Sequence, residues 1–190
     1  MVTVTAQDPF RVIFVCTGNI CRSPAAERLA RQHWGRNGDI TVSSAGVGAM
    51  VGEPINLSMR HLMLLDALDT TEFAARNLTA QMLDEADLVL GLTIRHVRKA
   101  MTAQPAALRK TFTLLEFARI AEASRGHLTS ATRADRLREL VANSHLYRTP
   151  TESGAEDVPD PYGHGTEVYE HAYSLIRDAV TTVARTLDGA

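Results

Sequence analysis

The sequence predicts an α/β fold in three layers, a four-stranded parallel sheet between two layers of helices. Two observations predict it. Short apolar runs rich in β-branched residues recur along the chain, and segments of helical period lie between them. Strands separated by helices lie parallel, and a parallel sheet needs both faces covered.

Arg11 to Cys16 is the first such run and reads as a buried strand. Ser23 and Pro24 then suit an N-cap and a first helical position, and Ala26, Leu29, Ala30 and His33 form the stripe of the helix they open. Ile40 to Ala45 is a second strand, closed by Gly46. Leu57, His61, Leu64, Leu65 and Leu68 recur at helical spacing and predict a helix over Leu57 to Leu68. Asp87 to Leu92 is a third strand, followed by a basic helix from Ile94 to about Met101. Thr111 to Leu114 is a short fourth strand, and Leu115 to Ala123 the helix after it. A last helix is expected from Thr166 to about Leu187.

From Arg125 to Val158 apolar density drops. Ala134, Leu137, Leu140 and Val141 mark one amphipathic helix there, and Ser153 to Asp157 reads as a flexible stretch. The segment lacks the apolar residues for a core of its own. The expectation is a single domain over 1–190 with an insertion or lid at about 125–156. Its arginines, Arg125, Arg133, Arg136, Arg138 and Arg148, read as a solvated helix face.

Composition excludes several classes. The 45% hydrophobic and 22% charged content suit an ordinary globular domain. A net charge of -2 gives no global field to hold nucleic acid or an anionic membrane, so any anion site must be local. No apolar run approaches the roughly eighteen residues of a membrane span. Met1 to Arg11 carries no secretory pattern, so a cytoplasmic location is expected. The only cysteines, Cys16 and Cys21, form neither a disulfide framework nor a zinc site. His33, His61, His96, His127, His145, His164 and His171 show no ligand spacing and read as surface or satisfied core residues.

Open parallel sheets bind ligands beyond the carboxyl ends of their strands. The first strand ends at Cys16, and the loop that follows is Cys16-Thr17-Gly18-Asn19-Ile20-Cys21-Arg22-Ser23-Pro24. A loop between a strand and a helix N-terminus aims main-chain N–H groups and the positive helix end at one point, which is an anion site. Gly18 and Asn19 can take positive φ and let successive amides converge. Arg22 supplies a planar fork for two phosphate oxygens. Cys16 lies at the floor, where the helix terminus, the guanidinium and the Ser23 hydroxyl favour a thiolate nucleophile. Phosphate esters hydrolyse extremely slowly unaided, and a covalent phosphocysteine would divide the task into two displacements. The leaving oxygen then needs a proton. Asp160, stiffened between Pro159 and Pro161 in Asp157-Val-Pro-Asp-Pro-Tyr162, is a candidate donor, although Asp-Pro is also a common turn dipeptide.

The ten-residue wording Val-Cys-Thr-Gly-Asn-Ile-Cys-Arg-Ser-Pro near the N-terminus, with a late Asp-Pro-Tyr, resembles the low-molecular-weight protein-tyrosine phosphatases. So do Ser43-Ser44-Ala45-Gly46, Val51-Gly52-Glu53-Pro54 and Ala75-Arg76-Asn77-Leu78-Thr79. The resemblance covers about residues 10–118 and 157–187. It implies a sheet of strand order 2-1-3-4, with Cys16 as nucleophile and Asp160 as acid and then base. The phosphate would lie on the loop from Thr17 through Gly18, Asn19, Ile20 and Cys21 to Arg22 and Ser23, with Asn19, Ser23 and Ser44 supporting it. It further implies a reversible Cys16–Cys21 disulfide, no metal or organic cofactor, and phosphotyrosine proteins as substrates, a bacterial tyrosine kinase among them. Met50 and Tyr162 would rim the mouth. Phe73 stands where many members carry a His, Thr93 where an Asp is common, Met50 where an aromatic is frequent, and Gly163 where a second Tyr is.

Two other reactions suit the same cradle. An arsenate reductase would need a small-molecule thiol, because no cysteine follows Cys21 to relay a disulfide. A phosphoarginine phosphatase tends to carry Thr where Ile20 stands, and an apolar Ile better suits an aromatic ring.

Overall fold

The computed structural model describes residues 8–35, 38–149 and 156–189. The four strands are β1 (Phe10–Cys16), β2 (Ile40–Gly46), β3 (Leu88–Gly91) and β4 (Thr111–Thr113). They form one sheet in the order β2-β1-β3-β4, with all three pairings parallel. The helices are α1 (Arg22–His33), α2 (Leu57–Leu65), α3 (Ala80–Glu85), α4 (Ile94–Ala103), α5 (Leu114–Ala123), α6 (Arg133–Asn143) and α7 (Thr166–Asp188).

The side-chain alternation of β1 builds both interlayers. Phe10, Val12, Phe14 and Cys16 point to the larger core, shared with α1, α2, α5, α6 and α7; Ile13 and Val15 point to the smaller one, with Leu83 of α3 and Ala100 of α4. Burying a Leu- or Phe-sized side chain contributes roughly 1.5–3 kcal/mol, so these two layers carry most of the stability. Trp34 follows α1 into the larger core, tilted against Phe14, and its indole N–H donates to the Val180 carbonyl at 3.0 Å.

Several boundaries differ from the expectation. Helix α1 opens at Arg22, one residue before the expected Ser23 N-cap, and Cys21 at its N-cap makes no side-chain cap. Pro24 still falls in the first turn, where its missing N–H costs nothing. Helix α2 stops at Leu65 because Ala67 turns at φ 54°, and the Leu68 N–H closes the end on the Met63 carbonyl at 3.0 Å. Helix α3, capped by Thr79, and the 3-10 helix Pro105–Lys110 were not anticipated; six residues are too few to show a period.

Most of the 153–157 stretch lies outside the described residues. In the described part of 125–156, α6 buries Ala134, Leu137 and Leu140 in the main core. Its arginines are not merely a solvated face. Arg133 Nη1 donates to the His33 carbonyl at 2.5 Å, and its guanidinium pairs with Asp188. Arg136 Nη1 reaches the Leu187 carbonyl at 2.8 Å, and Arg138 lies over the Phe10 ring and donates to the Asp8 carbonyl. Arg133 and Arg136 fasten α6 across the ends of α1 and α7, where carbonyls lack helical partners, and Arg138 fastens it to the start of β1.

Candidate active site

The loop from Cys16 to Arg22 turns its carbonyls outward. Those of Cys16, Thr17 and Gly18 accept from the N–H groups of Val47, Gly48 and Met50 at 2.9, 3.1 and 3.0 Å. The Ile20 carbonyl accepts from Asn56 at 2.8 Å and the Cys21 carbonyl from Ala25 at 3.2 Å. With its acceptors engaged from outside, the loop leaves its N–H groups to face the inside. Asn19 sits at φ 54°; of the two residues expected to be free to turn this way, it alone does so. Gly46 is required here for another reason: a β-carbon on it would collide with the Thr17 carbonyl.

Cys16 Sγ accepts from the Asn19 N–H at 3.3 Å and lies 3.0 Å from Ser23 Oγ. Ser23 Oγ itself accepts from Asn19 Nδ2 at 2.9 Å, which leaves its proton for the sulfur. Asn19 Nδ2 also donates to Ser44 Oγ at 2.9 Å, and Ser44 Oγ donates to Glu27 Oε2 at 2.5 Å. Arg31 Nη2 pairs with the other oxygen of Glu27 at 2.7 Å. Asn19 Oδ1 accepts the Arg76 N–H at 2.9 Å, and Arg76 Nε donates to the Ser44 carbonyl at 2.9 Å. A main-chain amide therefore supports Asn19 in a chain that carries Phe73 in place of histidine. Of the two roles expected of Ser23, its hydroxyl takes the one at the sulfur, and the N-cap position of α1 falls to Cys21.

This network ties α1, β2 and Arg76 to one side chain. Asn19→Ala is expected to lower kcat on an aryl phosphate roughly 10- to 100-fold, the scale of a misplaced reacting group. Steady-state kinetics, with circular dichroism to show a retained fold, checks it.

The second wall is the 157–162 segment. The Val158 N–H donates to the Leu92 carbonyl at 2.8 Å, and Asp157 Oδ1 accepts the Ile94 N–H at 2.7 Å, so the end of β3 and the start of α4 both hold it. Arg22, 4% exposed, donates from Nη1 to the Val158 carbonyl at 3.1 Å and pairs through Nη2 with Asp160 Oδ2 at 2.7 Å. Its Nε is buried with no protein partner among the described residues. Asp160 is half exposed, and its Oδ1 accepts the Tyr162 N–H at 3.3 Å.

Cys16, Thr17, Gly18, Ile20, Cys21, Arg22, Gly48, Met50, Asp160 and Tyr162 enclose one cavity of about 190 Å³. Every residue expected at the floor or mouth is there, and Asn19, Ser23 and Ser44 stand behind it. Cys21 is buried, and burial first, then the neighbouring Cys16, pushes its thiol up to about 12. Sequence reasoning missed Glu27 and Arg76 as loop supports, and His96. The His96 ring, 2% exposed, bridges Thr93 Oγ1 (Nδ1, 2.9 Å) and Thr17 Oγ1 (Nε2, 3.0 Å). Burial first, then the Arg22 guanidinium, pushes its imidazolium down to about 4. No local spacing signals these three roles, because the partners that define them, Ser44, Asn19 and Thr17, lie 17 to 79 positions away.

Fold and loop define a class: α/β proteins that hold a tetrahedral oxyanion over a cysteine sulfur. A family profile described as low molecular weight phosphotyrosine protein phosphatase matches residues 11–138, and the chain belongs to that family. Low molecular weight protein-tyrosine-phosphatase Ptp of Acinetobacter johnsonii is 34% identical over 169 residues, 89% of this chain and 92% of that one. Among solved structures, the YwlE arginine phosphatase of Geobacillus stearothermophilus matches with a TM-score of 0.70 at 26% identity, over 95% of this chain and 94% of that one. The low molecular weight protein tyrosine phosphatase of T. tengcongensis matches with a TM-score of 0.69 at 28% identity, over 93% of this chain and 98% of that one.

Proposed function

We propose that the chain hydrolyses phosphotyrosine on proteins through a phosphocysteine at Cys16. The observation that carries this is the convergence on one cavity of a hydrogen-bonded sulfur, a buried guanidinium and a half-exposed carboxyl. In the first step Cys16 Sγ attacks phosphorus, the S–P bond forms, and the bond to the phenolic oxygen breaks. Asp160 gives its proton to that oxygen. In the second step water attacks phosphorus, Asp160 takes its proton, and the S–P bond breaks to return the thiolate and inorganic phosphate. The inward amides and Arg22 bear the charge on the equatorial oxygens in both steps.

Family membership and the ring-sized cavity lined by Ile20, Met50 and Tyr162 support a phosphotyrosine substrate. A tyrosine-phosphorylated protein kinase is one such partner. No helix among the described residues is long and apolar enough to cross a membrane, which supports the cytoplasmic reading. In this scheme Cys21 protects the nucleophile. A sulfenic acid on Cys16 would condense with the Cys21 thiol, releasing water and leaving a reducible disulfide.

The resemblance to an arginine phosphatase structure gives a second reading a specific basis. Ile20, 7% exposed and lining the cavity, offers no polar group to a guanidinium. On matched peptides, kcat/KM is expected to favour phosphotyrosine over phosphoarginine by roughly tenfold or more, about 1.4 kcal/mol of selective contact. Equal or faster turnover of phosphoarginine would transfer the assignment to the second reading.

A further inference from the structure

His96 and Thr17 form a polar connection that the scheme above does not use. Thr17 follows the nucleophile and lines the cavity, while His96 lies buried in the first turn of α4, on the other side of the β1–β3 seam.

The hydrogen-bond arithmetic fixes a direction. Thr93 Oγ1 caps α4 by accepting the His96 N–H at 3.4 Å. A hydroxyl has one proton to give. If that proton goes to His96 Nδ1, Thr93 is satisfied as donor and acceptor, and the ring presents its N–H at Nε2. The Nε2–H then donates to Thr17 Oγ1. The opposite tautomer would leave the Thr93 proton with no protein acceptor among the described residues. It would also place an N–H beside the amides of a helix N-terminus, where positive potential favours a lone pair. Thr17 Oγ1, accepting from Nε2, must direct its own proton elsewhere, and Thr17 lines the cavity while His96 does not.

We propose that His96 is a positioning residue that holds the Thr17 hydroxyl as a hydrogen-bond donor to the group bound above Cys16. The chain of donation runs from Thr93 through the His96 ring to Thr17 and ends at a phosphoryl or leaving-group oxygen. This rests on the phosphatase reading and adds a donor to it. The charges that act on the ring are those of Arg22, Asp160 and Arg95, and burial with the Arg22 charge keeps it neutral, so it acts by orientation rather than by proton transfer.

A double-mutant cycle of Thr17→Val and His96→Leu, read on one aryl phosphate, tests it. The nucleophile, Arg22 and Asp160 remain, so measurable parent-like chemistry separates this inference from the phosphatase reading, which Cys16→Ser addresses. Each single change is expected to lower kcat/KM about 3- to 10-fold, the worth of one neutral hydrogen bond, and the double change no further than the larger single loss. Thr17→Ser and His96→Gln, which keep the hydroxyl and an N–H, are expected to recover most of the loss. Multiplicative losses, or a Thr17→Val enzyme equal to the parent, would overturn the proposal. Nitrogen-15 NMR of the unaltered protein gives an independent reading that needs no variant to fold. The proton is expected on His96 Nε2 between pH 5 and 8, and a proton on Nδ1 would overturn it.

Discussion

Cys16→Ser is expected to lower kcat toward phosphotyrosine peptides by on the order of 10⁴-fold or more, the scale at which loss of a nucleophile is felt. The substitution removes only the sulfur. The inward amides, Arg22 and the Asn19–Ser44–Glu27 network are anchored by other residues, so the cradle survives. A serine hydroxyl there keeps its proton at neutral pH and is a poor nucleophile without a base beside it. Binding of the dianion depends on the amides and the guanidinium, so the variant should retain phosphopeptide. Equilibrium binding and single-turnover kinetics on the same preparation separate the two effects. Hydrolysis at the parental rate would remove Cys16 from its assigned role.

Asp160→Asn is expected to act differently on different esters. The side chain is half exposed at the cavity mouth, held by Arg22 and the Tyr162 amide. Its value lies in a proton delivered to a leaving oxygen, an effect of about 10²- to 10⁴-fold. Phosphotyrosine, whose phenol has a pKa of about 10, needs that proton and should suffer the full loss. Strongly acidic phenols leave as anions and should suffer much less in the first step. A plot of log kcat/KM against leaving-group pKa is therefore expected to steepen in the variant. Parallel plots for parent and variant would show that Asp160 does not donate.

What could be read from the sequence follows physical range. The nine residues from Cys16 to Pro24 lie together because strand, loop and helix are contiguous, so local pattern exposes the cradle. The strands were legible because their buried runs are short and continuous, and α7 because ten of its side chains are buried on one face. Residues whose role depends on distant partners were not legible. Glu27 looks like any polar position on α1 until Ser44 is brought beside it, and His96 looks like one of seven scattered histidines until Thr17 meets its ring. Arg76 acts partly through its main-chain N–H, which any residue type would supply. Arg133 and Arg136 of α6 misled for the same reason: their acceptors include carbonyls at the ends of helices far away in sequence. Ser23 carried two readings, and geometry kept one: its hydroxyl lies 3.0 Å from the Cys16 sulfur, as the loop pattern implied, while the N-cap position falls to Cys21.

In the proposed reaction the phosphoryl group passes through sulfur. Asp160→Ala, turning over an activated aryl phosphate, should form the intermediate readily, because the phenol leaves unaided. It should break down slowly, because no base activates water. Rapid denaturation during turnover, followed by peptide mapping, is expected to recover phosphate bound to Cys16 in an amount approaching one per enzyme. Phenol release without phosphate on Cys16, or phosphate recovered on another residue, would contradict it.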